Sequence, residues 1–482
     1  MRRLLLVAIV AFGVTPPAWA GGPRMSLGAA EDIVRAPDLV AAKAKMSVLR
    51  LTGFDAARVT SIWAPGQVAP SQTELTTLSN VTTAARLAGV RVYLSVYNAG
   101  SRTTPLTPET RAQFAQYVAS LAAALPDVRD VIVGNEPNLN RFWLPQFNPD
   151  GTNAAAPAYL ELLTATYDAI KAAAPGVTVY GGVLAARGVD RPGTGRDTHS
   201  PVKFIRDLGA AYRASGRQAP VMDGFAFHPY PGSSSRSPEL PNSRYTTTLG
   251  LADYDRLVSL LGQAFDGTAQ AGSSLPILYD EFGIESVVPK GKATSYTGAE
   301  PATTRPVDET TQAAYYAAAV RLAFCQPTVT GIFLFHTHDE PAFPSWQSGL
   351  YYADGAPKSS ITAVRDALQL ARGGSISRCA GLALDVTPTA VRFPAQAEAR
   401  KGPLAVRVRC DLDCAVELRL VRVPAGTTVR TTRGYARAGA LTRVELRGRR
   451  PPRGRYLLSL SFTHPVNPGV PTIREGPAFS LP

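Results

Sequence analysis

Short apolar segments alternate with longer amphipathic segments over the first three quarters of the chain. The apolar segments are rich in β-branched and aromatic residues, which is typical of strands that are buried on both faces. We predict eight such strands, over residues 25–29, 56–62, 90–97, 128–134, 177–182, 222–228, 276–281 and 330–335.

The segments between these strands carry helix start and stop signals. Thr107-Pro108-Glu109 combines a capping residue, a first-turn proline and an early acid, and Asp308 precedes another helical run. Pro175-Gly176 ends a third helix. Strand and helix alternating eight times is the pattern of a (β/α)8 barrel, an α/β fold that we assign to residues 21–380.

The pattern changes after residue 384. Seven short segments of period two follow, separated by Pro, Gly and Arg, and we predict no helix among them. Residues 385–482 are therefore predicted to form a small antiparallel β-sandwich, as an accessory domain. A second domain agrees with the chain length of 482 residues, which is more than one core usually serves.

The first 20 residues have the features of a secretory signal peptide. Arg2 and Arg3 precede the apolar run 4–14, and Ala18-Trp19-Ala20 is a small-x-small cleavage site. We expect the mature protein to begin near Gly21 and to be secreted. No later apolar run approaches the length that a transmembrane helix needs.

Four cysteines are expected to form disulfide bonds if the protein is exported to an oxidising compartment. Cys325, Cys379, Cys410 and Cys414 allow three pairings, among which sequence cannot decide. Their positions favour Cys325–Cys379 and Cys410–Cys414, since each pair then lies within one domain.

The net charge of +13 is concentrated at the C-terminal end. Residues 381–482 hold 17 Arg and Lys against 7 Asp and Glu. Such an excess suits electrostatic contact with an acidic polymer or an anionic cell envelope. The chain has 42 Arg against 8 Lys, however, and codon bias in a GC-rich genome would produce the same excess. Nucleic acid is not an expected partner, because no recognition motif accompanies the arginines.

Two predicted strands end in an acid. VIVGNEP (131–137) leads into Glu136 after strand four, and PILYDEFG (276–283) leads into Glu281 at the end of strand seven. In a (β/α)8 barrel the C-terminal ends of all strands open on one face, so both carboxylates should share a pocket. Two facing carboxylates suit cleavage of a glycosidic bond. The neighbouring Asp280 is expected to point towards the helices as a structural partner, because side chains alternate along a strand.

These strand ends, together with His228-Pro229-Tyr230, resemble glycoside hydrolase clan A. The pattern looks most like the cellulase-like family 5, with family 39 close behind, and it covers roughly residues 24–375. The resemblance implies a retaining mechanism in which Glu136 is the acid/base and Glu281 the nucleophile. It implies no cofactor.

The same resemblance assigns supporting roles. Asn135 would bind the sugar 2-hydroxyl, Tyr230 would donate a hydrogen bond to the nucleophile, and Arg58 would steady it. His228 and Tyr97 would line the site. The clan commonly has a tryptophan at the end of strand eight, where this chain has His336, so Trp346 is the alternative platform for the sugar.

Large aromatic residues follow several predicted strands. Trp63, Trp143 and Trp346 are expected on loops of the face that carries the acids, where flat rings suit sugars, although packing in the core is the alternative for each. The sandwich has no tryptophan. His336 and His338 have a spacing found in metal sites, but a third strong ligand is not evident, and we predict no metal.

These observations predict an exported retaining O-glycosidase, a monomer, acting on a poly- or oligosaccharide. The alternative from another class is a non-catalytic glycan-binding or envelope protein built on an inherited barrel. Fold alone cannot separate the two, since both would have the same barrel.

Overall fold

A computed structural model describes residues 21–377, 379, 382–449 and 451–482. The predicted signal peptide and residue 380, the predicted end of the barrel, lie outside the described residues. Within the described ranges, no helix is both long and apolar enough to cross a membrane.

Eight parallel strands form a closed barrel in which β1 pairs with both β2 and β8. The predicted fold class is thereby confirmed. The strands are β1 (Ser26–Ala30), β2 (Ala56–Trp63), β3 (Arg91–Asn98), β4 (Asp130–Val133), β5 (Thr178–Ala185), β6 (Gly224–His228), β7 (Ile277–Phe282) and β8 (Val329–Phe335).

A helix follows each strand and packs against the outside of the barrel. The helices are α1 (Leu39–Thr52), α2 (Gln72–Ala88), α3 (Pro108–Ala124), α4 (Ala155–Ala173), α5 (Pro201–Ala214), α6 (Tyr254–Phe265), α7 (Glu309–Phe324) and α8 (Ile361–Arg372). Two of these helices begin at the capping residues that the sequence predicts. Thr107 and Thr110 form a capping box at α3, and Asp308 accepts a hydrogen bond from the Thr311 amide at α7.

A layer of side chains fills the interior of the barrel. It is separate from the larger core between strands and helices, and it comprises Ala56, Tyr93, Ile132, Tyr180, Val183, Ala226, Leu278 and Phe333. β1 contributes Gly28 instead, where a Cβ would lie 2.5 Å from the Phe333 ring. This layer forms a closed floor, so a pocket can exist only above it, at the C-terminal ends of the strands.

Two antiparallel sheets follow the barrel. One has the order β13-β10-β9 and the other the order β12-β11-β14-β15, with β16 also paired to β14. The strands are β9 (Pro388–Arg392), β10 (Ala405–Cys410), β11 (Cys414–Arg422), β12 (Thr427–Ala436), β13 (Thr442–Glu445), β14 (Gly454–Thr463), β15 (Thr472–Glu475) and β16 (Phe479–Leu481).

This region departs from the prediction in four places. A short helix, α9 (Gln396–Lys401), lies between β9 and β10, where we expected none. β12 and β15 were not predicted, because these two edge strands are largely exposed and have little apolar alternation. The first predicted segment of this region, ALDVTP (383–388), forms one isolated bridge, between Leu384 and Pro468, before β9 begins.

The cysteines pair in the arrangement that their positions favour. Cys325 follows α7 and is bonded to Cys379, with Cα atoms 4.9 Å apart. Cys410 and Cys414 end β10 and begin β11, so their bond joins the two antiparallel sheets; their Cα atoms are 6.4 Å apart. Fully extended residues at this spacing would be about 13 Å apart, so the intervening segment is bent.

Hydrogen bonds fasten the sandwich to the end of the barrel. Buried His464 donates from Nε2 to the Gly374 carbonyl at 2.5 Å, just beyond α8. Asn467 donates to the Ile376 carbonyl at 3.2 Å and accepts from the Leu384 amide at 2.9 Å.

Candidate active site

A strained turn places Glu136 at the mouth of the barrel. β4 ends at Val133, and Gly134 and Glu136 then adopt positive φ angles of 94° and 41°. The left-handed region is costly for a glutamate and is maintained only where the surroundings hold it. Here the Glu136 amide donates to the Val183 carbonyl oxygen of β5 at 2.8 Å, which fixes the turn.

Asp280 and Glu281 both face the site, although they are consecutive in β7. The pairing of β7 with β8 is irregular between Tyr279 and Phe282, so simple alternation of side chains does not hold there. Asp280 is fully buried inside the barrel, and the prediction that it points towards the helices is wrong. Glu281 lies at the mouth and is 8% exposed.

Arg58 links these acids from β2. Its Nη1 donates to Glu281 Oε1, its Nη2 donates to Asn135 Oδ1 at 2.9 Å and to Ser95 Oγ at 3.1 Å, and its Nε lies 3.3 Å from Asp280 Oδ2. Burial opposes the charge, but the fields of Glu281 and Asp280 outweigh it and raise the pKa of Arg58.

His228, at the end of β6, is the second buried cation. Its Nδ1 lies 2.9 Å from Glu136 Oε1 and 3.4 Å from Glu281 Oε2, and its Nε2 lies 3.3 Å from Asp280 Oδ2. Burial disfavours the imidazolium, yet Glu281 and then Asp280 more than compensate and raise the pKa of His228 to about 10. The imidazole is therefore protonated at neutral pH. Its Nδ1 donates to Glu136 Oε1, while its Nε2 faces Asp280 Oδ2 without forming a hydrogen bond.

These two cations hold Glu281 ionised. Burial alone would raise the pKa of its carboxyl, but His228 and Arg58 lower it below the usual value. Tyr230 adds a hydrogen bond from its hydroxyl to Glu281 Oε2 at 3.0 Å. A deprotonated carboxylate in a water-poor pocket is suited to act as a nucleophile.

Glu136 and Glu281 lie face to face. One oxygen of each carboxylate and one nitrogen of His228 are all within 4.8 Å of one another. Three such groups also have the spacing of a metal site. In this structure the same atoms are engaged by one another and by protein donors: Glu281 accepts from Arg58 and Tyr230, and His228 Nδ1 lies 2.9 Å from Glu136 Oε1.

Trp346 extends the pocket beyond the acids. Its ring lies 4.8 Å from the Tyr230 ring at an interplanar angle of 32°, and it meets Phe335 edge to face at 5.4 Å. Trp346 is partly exposed. A partly exposed ring beside Tyr230, which itself contacts Glu281, offers a stacking surface for a sugar ring.

Two other tryptophans do not line the pocket, contrary to the prediction. Trp63 has no exposed surface, packs edge to face on Phe114 of α3 and donates from Nε1 to the Gln67 carbonyl oxygen. Trp143 is 2% exposed and packs on Tyr159 of α4. A ring without exposed surface cannot stack on a sugar, so both belong to the core between strands and helices.

The remaining predicted residues take peripheral places. Tyr97 is partly exposed near Arg58 and meets Phe142 edge to face; burial raises its pKa. His336 lies 3.6 Å from the Phe335 ring, and its Nδ1 donates to the Ala30 carbonyl at 2.7 Å. Its neighbour His338 instead stacks on Tyr351, so these two histidines do not converge on a shared site.

The proton on His228 leads to a pH-dependent contribution to stability. Because its pKa rises from 6.5 to about 10 on folding, the stabilisation is fully present below pH 6.5 and disappears as the pH rises through 10. We expect the difference in free energy of unfolding between the native protein and His228→Asn to be largest near pH 6 and to shrink towards pH 10. Urea titrations at both values measure it, and a difference that is independent of pH would contradict a protonated His228.

Comparisons of the whole chain find relatives in structure alone. A family 39 glycoside hydrolase from Bacteroides cellulosilyticus WH2 superimposes with a TM-score of 0.51 at 16% identity, covering 87% of this chain and 82% of that chain. GH5_18 from Streptomyces cattleya, in complex with Manb1-4GlcNAc, gives 0.50 at 19% identity, covering 72% and 81%. No family model matches the sequence, nor does any curated protein. The shared property is the fold, in agreement with the resemblance to families 5 and 39.

Proposed function

We propose that this protein is an exported retaining glycoside hydrolase that cleaves O-glycosidic bonds of an oligo- or polysaccharide. The observation that carries the proposal is the facing pair Glu136 and Glu281, with carboxylate oxygens within 4.8 Å. Retaining enzymes hold their carboxyl groups about 5–5.5 Å apart, whereas inverting enzymes leave about 6.5–9.5 Å for a water molecule. The short separation supports direct attack.

In the first step Glu136, as the carboxylic acid, protonates the glycosidic oxygen. Glu281 attacks the anomeric carbon, the bond to the leaving oxygen breaks, and a glycosyl ester forms on Glu281. His228 donates to Glu136 Oε1, which leaves Oε2 as the oxygen that carries the transferred proton.

In the second step Glu136, now a carboxylate, removes a proton from water. That water attacks the anomeric carbon on the face from which the first alcohol departed, and Glu281 leaves as a carboxylate. Arg58 and Tyr230 hold the two Glu281 oxygens separately, so they stabilise the returning charge. The product keeps the configuration of the substrate.

Export is supported by the N-terminal sequence and by the two cystine bridges. An apolar run after Arg2 and Arg3, followed by Ala18-Trp19-Ala20, is a secretory pattern. Both cysteine pairs of the structure would form readily outside the reducing cytosol.

The proposal is tested by assaying the purified protein against aryl glycosides and polysaccharides, with products followed by NMR. β-Mannosides belong in the panel, because one structural neighbour holds Manb1-4GlcNAc. We expect turnover with retention of configuration. An inverted product would refute the double displacement, and binding without turnover would identify a non-catalytic glycan-binding protein.

Replacement of Trp346 should weaken substrate binding more than it slows the reaction. We expect Trp346→Ala to raise KM about tenfold, since loss of an aromatic stacking contact costs about 1.4 kcal/mol. Tyr435→Ala, which removes a half-exposed ring from β12, is the matched control and should leave KM unchanged. Steady-state kinetics on an oligosaccharide measures both. An unchanged KM for Trp346→Ala would exclude this ring as the sugar platform.

A further inference from the structure

Three arginines form a row across the three-stranded sheet of the C-terminal region. In the register of the strands, Arg407 of β10 lies opposite Arg392 of β9 on one side and opposite Arg443 of β13 on the other. All three are exposed, whereas Val406 and Val408 beside them on β10 are buried. The guanidinium groups therefore share the outer face of the sheet.

Two of these three arginines are not neutralised within the described part of the chain. Arg443 pairs with Glu445 at 2.9 Å, but Arg392 and Arg407 have no hydrogen-bond or ion-pair partner among the described residues. Like charges directly opposite each other in a sheet are destabilising. The repulsion is offset when an anionic ligand binds between them.

On the five-stranded sheet, one glutamate neutralises two arginines. On β11, Glu417 lies opposite Arg433 of β12 and accepts from it at 2.9 Å. The same carboxylate pairs with Arg419 at 2.5 Å. Other arginines of the five-stranded sheet, such as Arg422 and Arg430, also have no acidic partner among the described residues, but they lie opposite Thr427 and Leu420. The three-stranded sheet differs because its arginines lie opposite one another, which an excess from codon bias does not explain.

The arginine row also borders a cleft. The segment around α9 rises beside the sheet and encloses a volume of about 620 Å³ together with the three arginines. Phe393 and Pro394 supply apolar surface within it. Its one acid, Glu398, accepts a hydrogen bond from the Ala395 amide, so that carboxylate is engaged locally.

We propose that this cleft binds a polyanionic polysaccharide, whose sugars carry carboxylate or sulfate groups. Neighbouring strands lie about 4.8 Å apart, so the row presents its cations at regular intervals, which suits a chain that carries an anion on each repeating unit. Guanidinium groups bind carboxylate and sulfate oxygens in a bidentate manner, and Phe393 offers an apolar face for a sugar ring. A concave cleft fits a single chain better than the flat surface of a membrane.

The site is independent of the acid pair in the barrel. It would hold the protein on an acidic polymer whether or not that polymer is the one hydrolysed. Arg392 and Arg407 variants should therefore leave turnover of a small aryl glycoside unchanged, and failure of the hydrolase proposal would not affect binding here.

The test compares two double variants of the full chain that lose the same charge. Binding to polygalacturonate and to dextran sulfate, with neutral dextran as reference, is measured by affinity electrophoresis at low and high salt. We expect Arg392→Ser/Arg407→Ser to weaken binding at least about tenfold, as expected for lost charge-assisted hydrogen bonds. Arg419→Ser/Arg433→Ser should change it less than about threefold, because those charges are already paired.

Each other outcome would overturn the proposal. Equal losses in the two variants would indicate diffuse attraction through net charge. Binding to phosphatidylglycerol vesicles, but to neither polymer, would indicate a membrane-surface site. No binding to any polyanion at low salt would show that the row has no ligand of this class.

Discussion

Glu281→Gln is expected to abolish turnover of every substrate, with kcat lowered by roughly 10⁴-fold or more. The amide has the shape of the carboxylate but no charge with which to attack the anomeric carbon. It also cannot hold the buried guanidinium of Arg58 and the imidazolium of His228 in the same way, because both are placed around an anion. Good leaving groups should not rescue the variant, since no other carboxylate among the described residues accepts from both Arg58 and Tyr230.

The matched control for this variant is its neighbour on β7. Asp280→Asn also removes a buried carboxylate that contacts Arg58 and His228, but Asp280 lies inside the barrel without exposed surface. We expect it to slow the reaction by less than about 10²-fold, because it acts through the two cations. Circular dichroism and thermal unfolding establish that both variants fold. Near-normal activity of Glu281→Gln would show that another group is the nucleophile.

Most of the barrel was predictable because its strands are buried on both faces. Such strands appear in the sequence as continuous apolar runs, and all eight predicted segments coincide with a strand of the closed sheet. The fold alone then predicts that the C-terminal ends of these strands lie together on one face of the barrel. His228 is the last residue of one predicted segment and Glu136 follows another after Asn135, so the pocket that brings them together could be expected from the sequence.

The wrong predictions for Asp280 and Trp63 concern the side of the strand on which each side chain lies. Leu278 faces the interior of the barrel, so alternation along β7 places Asp280 inward as well. The prediction took Glu281 as the inward residue, and Glu281 departs from alternation at the irregular pairing between Tyr279 and Phe282. Alternation along β2 would also have predicted the side of the strand on which Trp63 lies. Arg58 faces the interior of the barrel, and Trp63 lies an odd number of residues further along β2, which places it on the helix side.

The burial of the charged network could also not be predicted from the sequence. Nothing in the residue types shows that Arg58 and His228 each contact Asp280 beneath the acid pair. Those contacts depend on the diameter of the barrel and on the residues of its floor, such as Leu278 and Phe333, that limit how deep the polar layer extends. Sequence motifs identify the residues of such a network, whereas the packing of the barrel determines the distances between their side chains.

Glu136→Gln should separate the two chemical steps rather than abolish them together. An aryl glycoside with a very good leaving group needs no proton, so formation of the glycosyl ester on Glu281 should stay fast. Hydrolysis of that ester should become rate-limiting, because no base activates water. We expect a burst of the released phenol, a lowered KM and a lowered kcat. Substrates with poor leaving groups should lose about 10²–10⁴-fold, since both steps then need Glu136.

Azide distinguishes this role from a structural one. As an anion it attacks the glycosyl ester without a general base, so it should restore turnover of the activated substrate by Glu136→Gln and produce a glycosyl azide with the configuration of the substrate. His228 contacts Glu136 at 2.9 Å, and His228→Asn therefore serves as the comparison: it disturbs the same carboxylate but leaves the base in place, and azide should not stimulate it. Equal losses for good and poor leaving groups, with no response to azide, would assign Glu136 to support of the pocket and leave the acid/base to be sought elsewhere.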